Sequence, residues 1–222
     1  MSQSKPLILF DLDGTLLDSL RDIAACCNRA LEQCGYPAHP AQLYKTFVGN
    51  GADQLLHRAL PAGHTQQEWE LLKKAYMPLY LECCQQGGAL FPGVTELMGE
   101  LRKQGALLAA VSNKPHEHTC ACCRVLFDGL LDGWLGDYPG IALKPDPAGV
   151  RAMESYLDSR CVALVGDSVV DVQTAKNAGA ASVAVSWGMQ PRQMLVDANP
   201  DAIADDFTAL KQILLDILSK CS

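Results

Sequence analysis

The feature that most restricts the fold is a set of short apolar runs at residues 7–10, 107–111, 162–165 and 182–185, with a weaker one at 133–135; each is stopped by a polar or glycine-containing turn. Runs this short and this uniformly apolar suit strands buried on both faces. Amphipathic stretches separate them at 94–104, 115–126, 147–156 and 170–178, and a last one at 205–218 sets Leu210, Ile213, Leu214 and Ile217 at helical spacing. Strands that alternate with helices imply an α/β fold, a Rossmann-like parallel sheet covered by helices on both faces.

Residues 17–88 break that alternation. They hold no convincing strand and four helical patterns, at 20–34, 41–47, 52–60 and 65–85. A structureless loop of that length inside a compact domain is improbable, so the stretch is expected to be an inserted all-helical cap subdomain with its own core. The expected division is a core of residues 1–16 and 89–222 and a cap of residues 17–88, with hinges near Leu17 and at Gly87-Gly88. At 222 residues the chain can bury about 70% of its unfolded surface and needs no disulfide framework. Its ten cysteines read as reduced core thiols.

Charge narrows the partners. The chain has 25 Asp and Glu against 18 Lys and Arg, a net charge of -7, and no basic run, which argues against nucleic-acid binding. No apolar stretch approaches the roughly 20 residues needed to span a membrane, and the run at 7–10 is too short for a signal peptide. A cytoplasmic protein acting on a small ligand is expected, and nothing in the sequence specifies an oligomeric state.

In open parallel sheets, ligands bind beyond the carboxyl ends of the strands. The residues that follow the runs are Asp11-Leu12-Asp13-Gly14-Thr15, Ser112-Asn113-Lys114, and Gly166-Asp167-Ser168 with Asp171 beyond. Asp11, Asp13, Asp167 and Asp171 would bring up to four carboxylates together, and such a cluster calls for a hard cation. Oxygen donors without an organised His or Cys set favour Mg2+, which would bind a small phosphorylated substrate. Asp11 suits a nucleophile and Asp13 a carrier of protons. Gly14 permits close approach, and Thr15 is expected to orient Asp13 or cap the next segment. Ser112 and Asn113 would offer a hydroxyl and a backbone N–H to phosphoryl oxygens, and Lys144, stiffened by Pro145-Asp146-Pro147, would add positive charge.

These segments, Asp11-Leu12-Asp13-Gly14-Thr15-Leu16, Val111-Ser112-Asn113-Lys114-Pro115, Lys144-Pro145-Asp146-Pro147 and Gly166-Asp167-Ser168-Val169-Val170-Asp171, resemble in order the four motifs of the haloacid dehalogenase superfamily. The resemblance covers nearly the whole chain. It implies that Asp11 forms an aspartyl-phosphate and Asp13 is the acid and base. Mg2+ would be held by the Asp11 carboxylate, the Asp13 carbonyl and Asp167, with Asp171 as a further ligand or an anchor. The insertion between the first two motifs is similar to the small helical cap of one subclass. Dehalogenases of the superfamily lack the second acidic residue, so Asp13 points to phosphoryl transfer.

The cap segment Phe47-Val48-Gly49-Asn50-Gly51-Ala52-Asp53 and the Ser186-Trp187-Gly188 turn resemble those of phosphoglycolate phosphatases, and the free N–H groups of Gly49, Asn50 and Gly51 would bind an anion. 2-Phosphoglycolate is the expected substrate, with pyrophosphate and nucleotides as alternatives. A hexose-phosphate mutase is disfavoured, because Ile23 and Ala52 stand where those enzymes carry a histidine and an arginine. A receiver-like signalling module is disfavoured because its acceptor aspartate follows a middle strand. His116, Cys120 and Cys123 share a helix face and could supply three soft ligands, although an ordinary packing helix is preferred. Trp69, Tyr76 and Tyr80 read as cap core. Asp18 and Arg21 could face the site from the cap entrance or sit in solvent.

Overall fold

The computed structural model describes residues 4–221. Six strands, β1 (Lys5–Phe10), β2 (Leu107–Pro115), β3 (Gly133–Asp137), β4 (Ser159–Gly166), β5 (Ala181–Val185) and β6 (Ala202–Ala204), form one sheet in the order β3-β2-β1-β4-β5-β6. Every pairing is parallel. The order reverses beside β1, and in a doubly wound sheet the ligand crevice opens at that point.

β1 occupies the centre, and the reason lies in its residues. Leu7, Ile8, Leu9 and Phe10 are all fully buried, because alternate side chains enter different apolar layers. Ile8 and Phe10 join the layer of α4 (Val94–Lys103), α5 (His116–Leu126) and α9 (Phe207–Ser219). Leu7 and Leu9 join that of α6 (Ala148–Leu157) and α7 (Val169–Ala178).

Between β1 and α4 lie α1 (Leu20–Gln33), a 3-10 helix (Ala41–Thr46), α2 (Gly51–Ala59) and α3 (Gln66–Gln86). Thr65 and Glu68 form a reciprocal capping box that starts α3. The two links to the sheet are zipped together: Leu17 bridges Leu90, the Asp18 N–H donates to Ala89 O at 2.9 Å, and the Phe91 N–H donates to Leu16 O at 3.0 Å. Tyr44, Leu56, Leu72 and Tyr76 belong to the same apolar cluster as Ile8 and Phe10, so the helical insertion shares a continuous core with one face of the sheet.

Two elements went unread in the sequence: β6, only three residues long, and α8 (Arg192–Asp197). β2 also continues past its apolar run to Pro115, so Ser112, Asn113 and Lys114 lie on the strand itself. Among the described residues, no helix is long and apolar enough to cross a membrane.

Candidate active site

The site forms where β1 and β4 end side by side. The Asp11 N–H donates to Val165 O at 2.9 Å, extending the ladder by one residue and fixing Asp11 at the crevice. The chain then turns sharply, with Leu12 O accepting the N–H groups of Thr15, Leu16 and Leu17. Gly14 sits at φ +86°, and a Cβ there would collide with the Asp167 carboxylate. From β4, Asp167 follows Gly166 directly, and Ser168 and Asp171 form a capping box at the start of α7. Lys144 arrives on the loop after β3. Asn113 clasps that loop, accepting from the Lys144 N–H at 2.8 Å and donating to Lys144 O at 3.1 Å.

Asp11, Asp167 and Asp171 each bring a carboxylate oxygen within 4.8 Å of the others, the one such group among the described residues. Lys144 Nζ lies 2.9 Å from Asp11 Oδ1 and 2.6 Å from Asp171 Oδ1. Burial and the neighbouring Asp171 nevertheless raise the Asp11 carboxyl to about 6 against the pull of Lys144. Burial first, and then Asp11, push the Asp167 carboxyl well above the ordinary range. One lysine does not neutralise three buried carboxylates. The donors are all hard oxygens, which fits the Mg2+ expected from the sequence.

Two expected contacts fall differently. The Asp13 carboxylate stands outside the acidic cluster, because the turn after β1 takes it away from Asp167 and toward Lys114 Nζ, 3.0 Å from Oδ1. Thr15 does not orient Asp13; its hydroxyl donates to Asp167 Oδ1 at 3.3 Å. Asp167 Oδ2 accepts the Met189 N–H at 2.6 Å, and a Cβ on Gly188 would strike the same carboxylate. Asp171 spends Oδ1 on Lys144 and Oδ2 on the Ser168 N–H and hydroxyl.

Above the carboxylates is a cleft of about 660 Å³ counting its open mouth, walled on the helical side by Val48, Gly49, Gly51, Ala52, Leu55 and Tyr76. Asn50 does not line it, and its side chain accepts from Arg58 at 2.8 Å. Ser112 and Asn113 line the opposite wall, and Asn113 also donates to Gly49 O at 3.4 Å, joining sheet and cap loop. Asp18 and Arg21 are exposed and outside the cleft. Ile23 is buried in the apolar core and offers no proton-transfer group.

Three lining residues escaped the sequence reading. Lys114 is paired with Asp13, and Tyr80, expected only as cap core, accepts a hydrogen bond from Lys114. Lys45, on the 3-10 helix, lines the cleft and has no ion-pair partner among the described residues. The soft-ligand set does not assemble: His116 Nε2 lies 3.4 Å from Cys120 Sγ, while Cys123 is fully buried in the apolar core.

Residues 8–185 match the model of the haloacid dehalogenase-like hydrolases. A phosphoglycolate phosphatase of Mannheimia succiniciproducens is 34% identical over 96% of this chain and 100% of its own length. One of Pasteurella multocida is 35% identical over the same shares. The crystal structure of a predicted phosphoglycolate phosphatase of Haemophilus somnus superposes with a TM-score of 0.86 at 33% identity, covering 96% of this chain and 99% of the other.

Proposed function

The chain belongs to the haloacid dehalogenase-like hydrolases and is a phosphoric monoester hydrolase, and we propose that it acts on a small phosphomonoester with a second anionic group, 2-phosphoglycolate above all. The observation that carries the choice of substrate is Lys45. Lys144 is committed to Asp11 and Asp171, and Lys114 to Asp13, whereas Lys45 faces the same cleft with no carboxylate of its own. The helical wall it belongs to is otherwise small or apolar at Val48, Gly49, Gly51, Ala52 and Leu55, suited to a substrate with two charged ends and little in between.

In this reading Asp11 attacks phosphorus while Asp13 gives a proton to the departing oxygen, so that the phosphorus–oxygen bond to the alcohol breaks and an aspartyl-phosphate forms. Water then attacks that phosphorus, Asp13 takes its proton, and the bond to Asp11 breaks to release phosphate. Ser112, the Asn113 N–H and Lys144 hold the phosphoryl oxygens as charge develops. Mg2+ would be held by Asp11, the Asp13 carbonyl and Asp167, with Asp171 as the anchor of Lys144, and when bound it supplies charge neutralisation at the phosphoryl group. Thr15 and the Met189 N–H keep Asp167 aimed.

Residues 17–88 serve as a cap that opens and closes over the cleft, turning about the zipped links at Leu17 and Leu90 and the positive-φ glycines Gly87 and Gly88. The ten cysteines are free thiols, in keeping with a reducing cytoplasm. Phosphate release measured with and without Mg2+ on 2-phosphoglycolate, pyrophosphate, nucleotides and hexose phosphates tests the reading. Preference for any of the last three classes would contradict it.

A further inference from the structure

We infer that Tyr80 and Lys114 are positioning residues through which the cap aims the proton carrier Asp13, an inference that rests on the acid and base role given to Asp13 above. Lys114 belongs to β2 and Tyr80 to α3, 34 positions apart in sequence and on opposite sides of the cap boundary. Neither has a part in the phosphoryl-transfer scheme.

The Lys114 side chain is only 2% exposed, and its ammonium spans both oxygens of Asp13, at 3.0 and 3.4 Å. It also donates to the Tyr80 hydroxyl and lies 4.4 Å from the centre of the Tyr80 ring. A buried ammonium keeps its place only while its hydrogens find acceptors. Asp13 supplies acceptors on one side and Tyr80 supplies the oxygen and the ring face on the other. Tyr80 is itself held in place, stacked on Tyr76 at 5.3 Å and tilted against His118 at 5.4 Å.

This arrangement has a consequence for catalysis. Asp13 is partly exposed to the cleft, and its carboxylate has no hydrogen-bond partner other than Lys114 among the described residues. If α3 swings away with the cap, Lys114 loses both the hydroxyl and the ring. Asp13 then loses the brace that fixes its direction. Closure over substrate and alignment of Asp13 thus become one event, so proton transfer is organised only when the cleft is shut against water. Packing alone needs the Tyr80 ring; the hydroxyl meets only Lys114.

The test compares leaving groups. Wild type, Asp13→Asn, Tyr80→Phe and Lys114→Met are assayed with Mg2+ on 2-phosphoglycolate, whose alkoxide must be protonated to depart, and on p-nitrophenyl phosphate, whose phenolate need not be. With Tyr80→Phe, kcat on 2-phosphoglycolate should fall about 10- to 100-fold with KM changed by no more than about threefold. The nitrophenyl ester should give an undiminished first-turnover burst of nitrophenol followed by slow turnover. Lys114→Met should show the same signature more strongly, and Lys114→Arg should restore part of kcat. Thermal melts identify any variant that fails to fold, and Tyr80→Phe keeps the ring that packs.

Asp13→Asn provides the reference. If it lacks the leaving-group signature, the role of Asp13 fails and this inference fails with it. If Asp13→Asn shows the signature while Tyr80→Phe turns over both esters like wild type, or loses the nitrophenol burst along with turnover, the coupling alone is overturned.

Discussion

Lys144 Nζ lies 2.6 Å from Asp171 Oδ1, and both side chains are almost wholly buried, at 4% and 2% exposure. The same ammonium reaches Asp11 at 2.9 Å, so one cation braces the nucleophile and the anchor together. Removing one partner of a buried pair typically costs about 3–5 kcal/mol, because the charge left behind has no compensation. Lys144→Met should therefore lower both phosphatase activity and the melting temperature at neutral pH. Burial already raises Asp11 and Asp167, and a carboxylate whose folded pKa is raised contributes stability that is lost as pH rises through that pKa. The melting deficit of the variant, whose Asp11 carboxyl lies higher still without Lys144, should shrink as pH falls toward about 6 and shrink with added Mg2+. A deficit that stayed constant across that range would argue against the pairing.

Gly14→Ala should be more damaging than its size suggests. The position needs φ +86°, and the new methyl group would push the Asp167 carboxylate out of place. The backbone alone costs about 1–2 kcal/mol, and a displacement of roughly an ångström at a reacting site can cost about 100-fold in rate. Steady-state assays and a thermal melt of the variant check both figures.

Lys45→Ala should act on substrate choice and leave the chemistry alone. A lost hydrogen bond to a charged group is worth about 1.5–3 kcal/mol, which is about 10- to 100-fold in kcat/KM. That loss is expected with 2-phosphoglycolate and not with ethyl phosphate, which lacks the carboxylate. Equal loss on both esters would remove Lys45 from substrate recognition.

His118 gives the cap and sheet a pH-dependent seam. Its Nε2 contacts Met77 O at 2.9 Å across α5 and α3, and burial holds its pKa below the ordinary 6.5. A histidine with a depressed folded pKa contributes stability that is present above 6.5 and lost as pH falls below it. Backbone amides of α3 should exchange faster at about pH 5 than at about pH 7 after correction for intrinsic rates. His118→Gln should flatten that difference.

The parts of this protein that could be read in the sequence are those where burial writes a local pattern. Leu7, Ile8, Leu9 and Phe10 announce a strand buried on both faces, and the helices of the insertion show their period wherever one side meets the core. Ala202–Ala204 is too short to carry any period, so β6 was not visible. At the site, Asp11 and Asp167 are legible because each directly follows a strand at the same sheet edge, Ser112 because it closes the apolar run of β2, and Lys144 because prolines stiffen the loop that carries it. The direction of Asp13 and the partner of Thr15 depend on how the turn at Gly14 closes, which the spacing of two aspartates does not specify. Lys45, Tyr80 and Lys114 acquire meaning only when cap and sheet meet, and no local pattern marks such a meeting.

The central claim is that Asp11 carries the phosphoryl group. Rapid acid quenching of a single turnover of 2-phosphoglycolate labelled in its phosphoryl group, followed by peptide mapping, tests it directly. The label should appear on the peptide that contains Asp11 before it appears in free phosphate, and it should be absent from Asp11→Asn. Turnover by Asp11→Asn at the wild-type rate, or label on any other residue, would contradict the account.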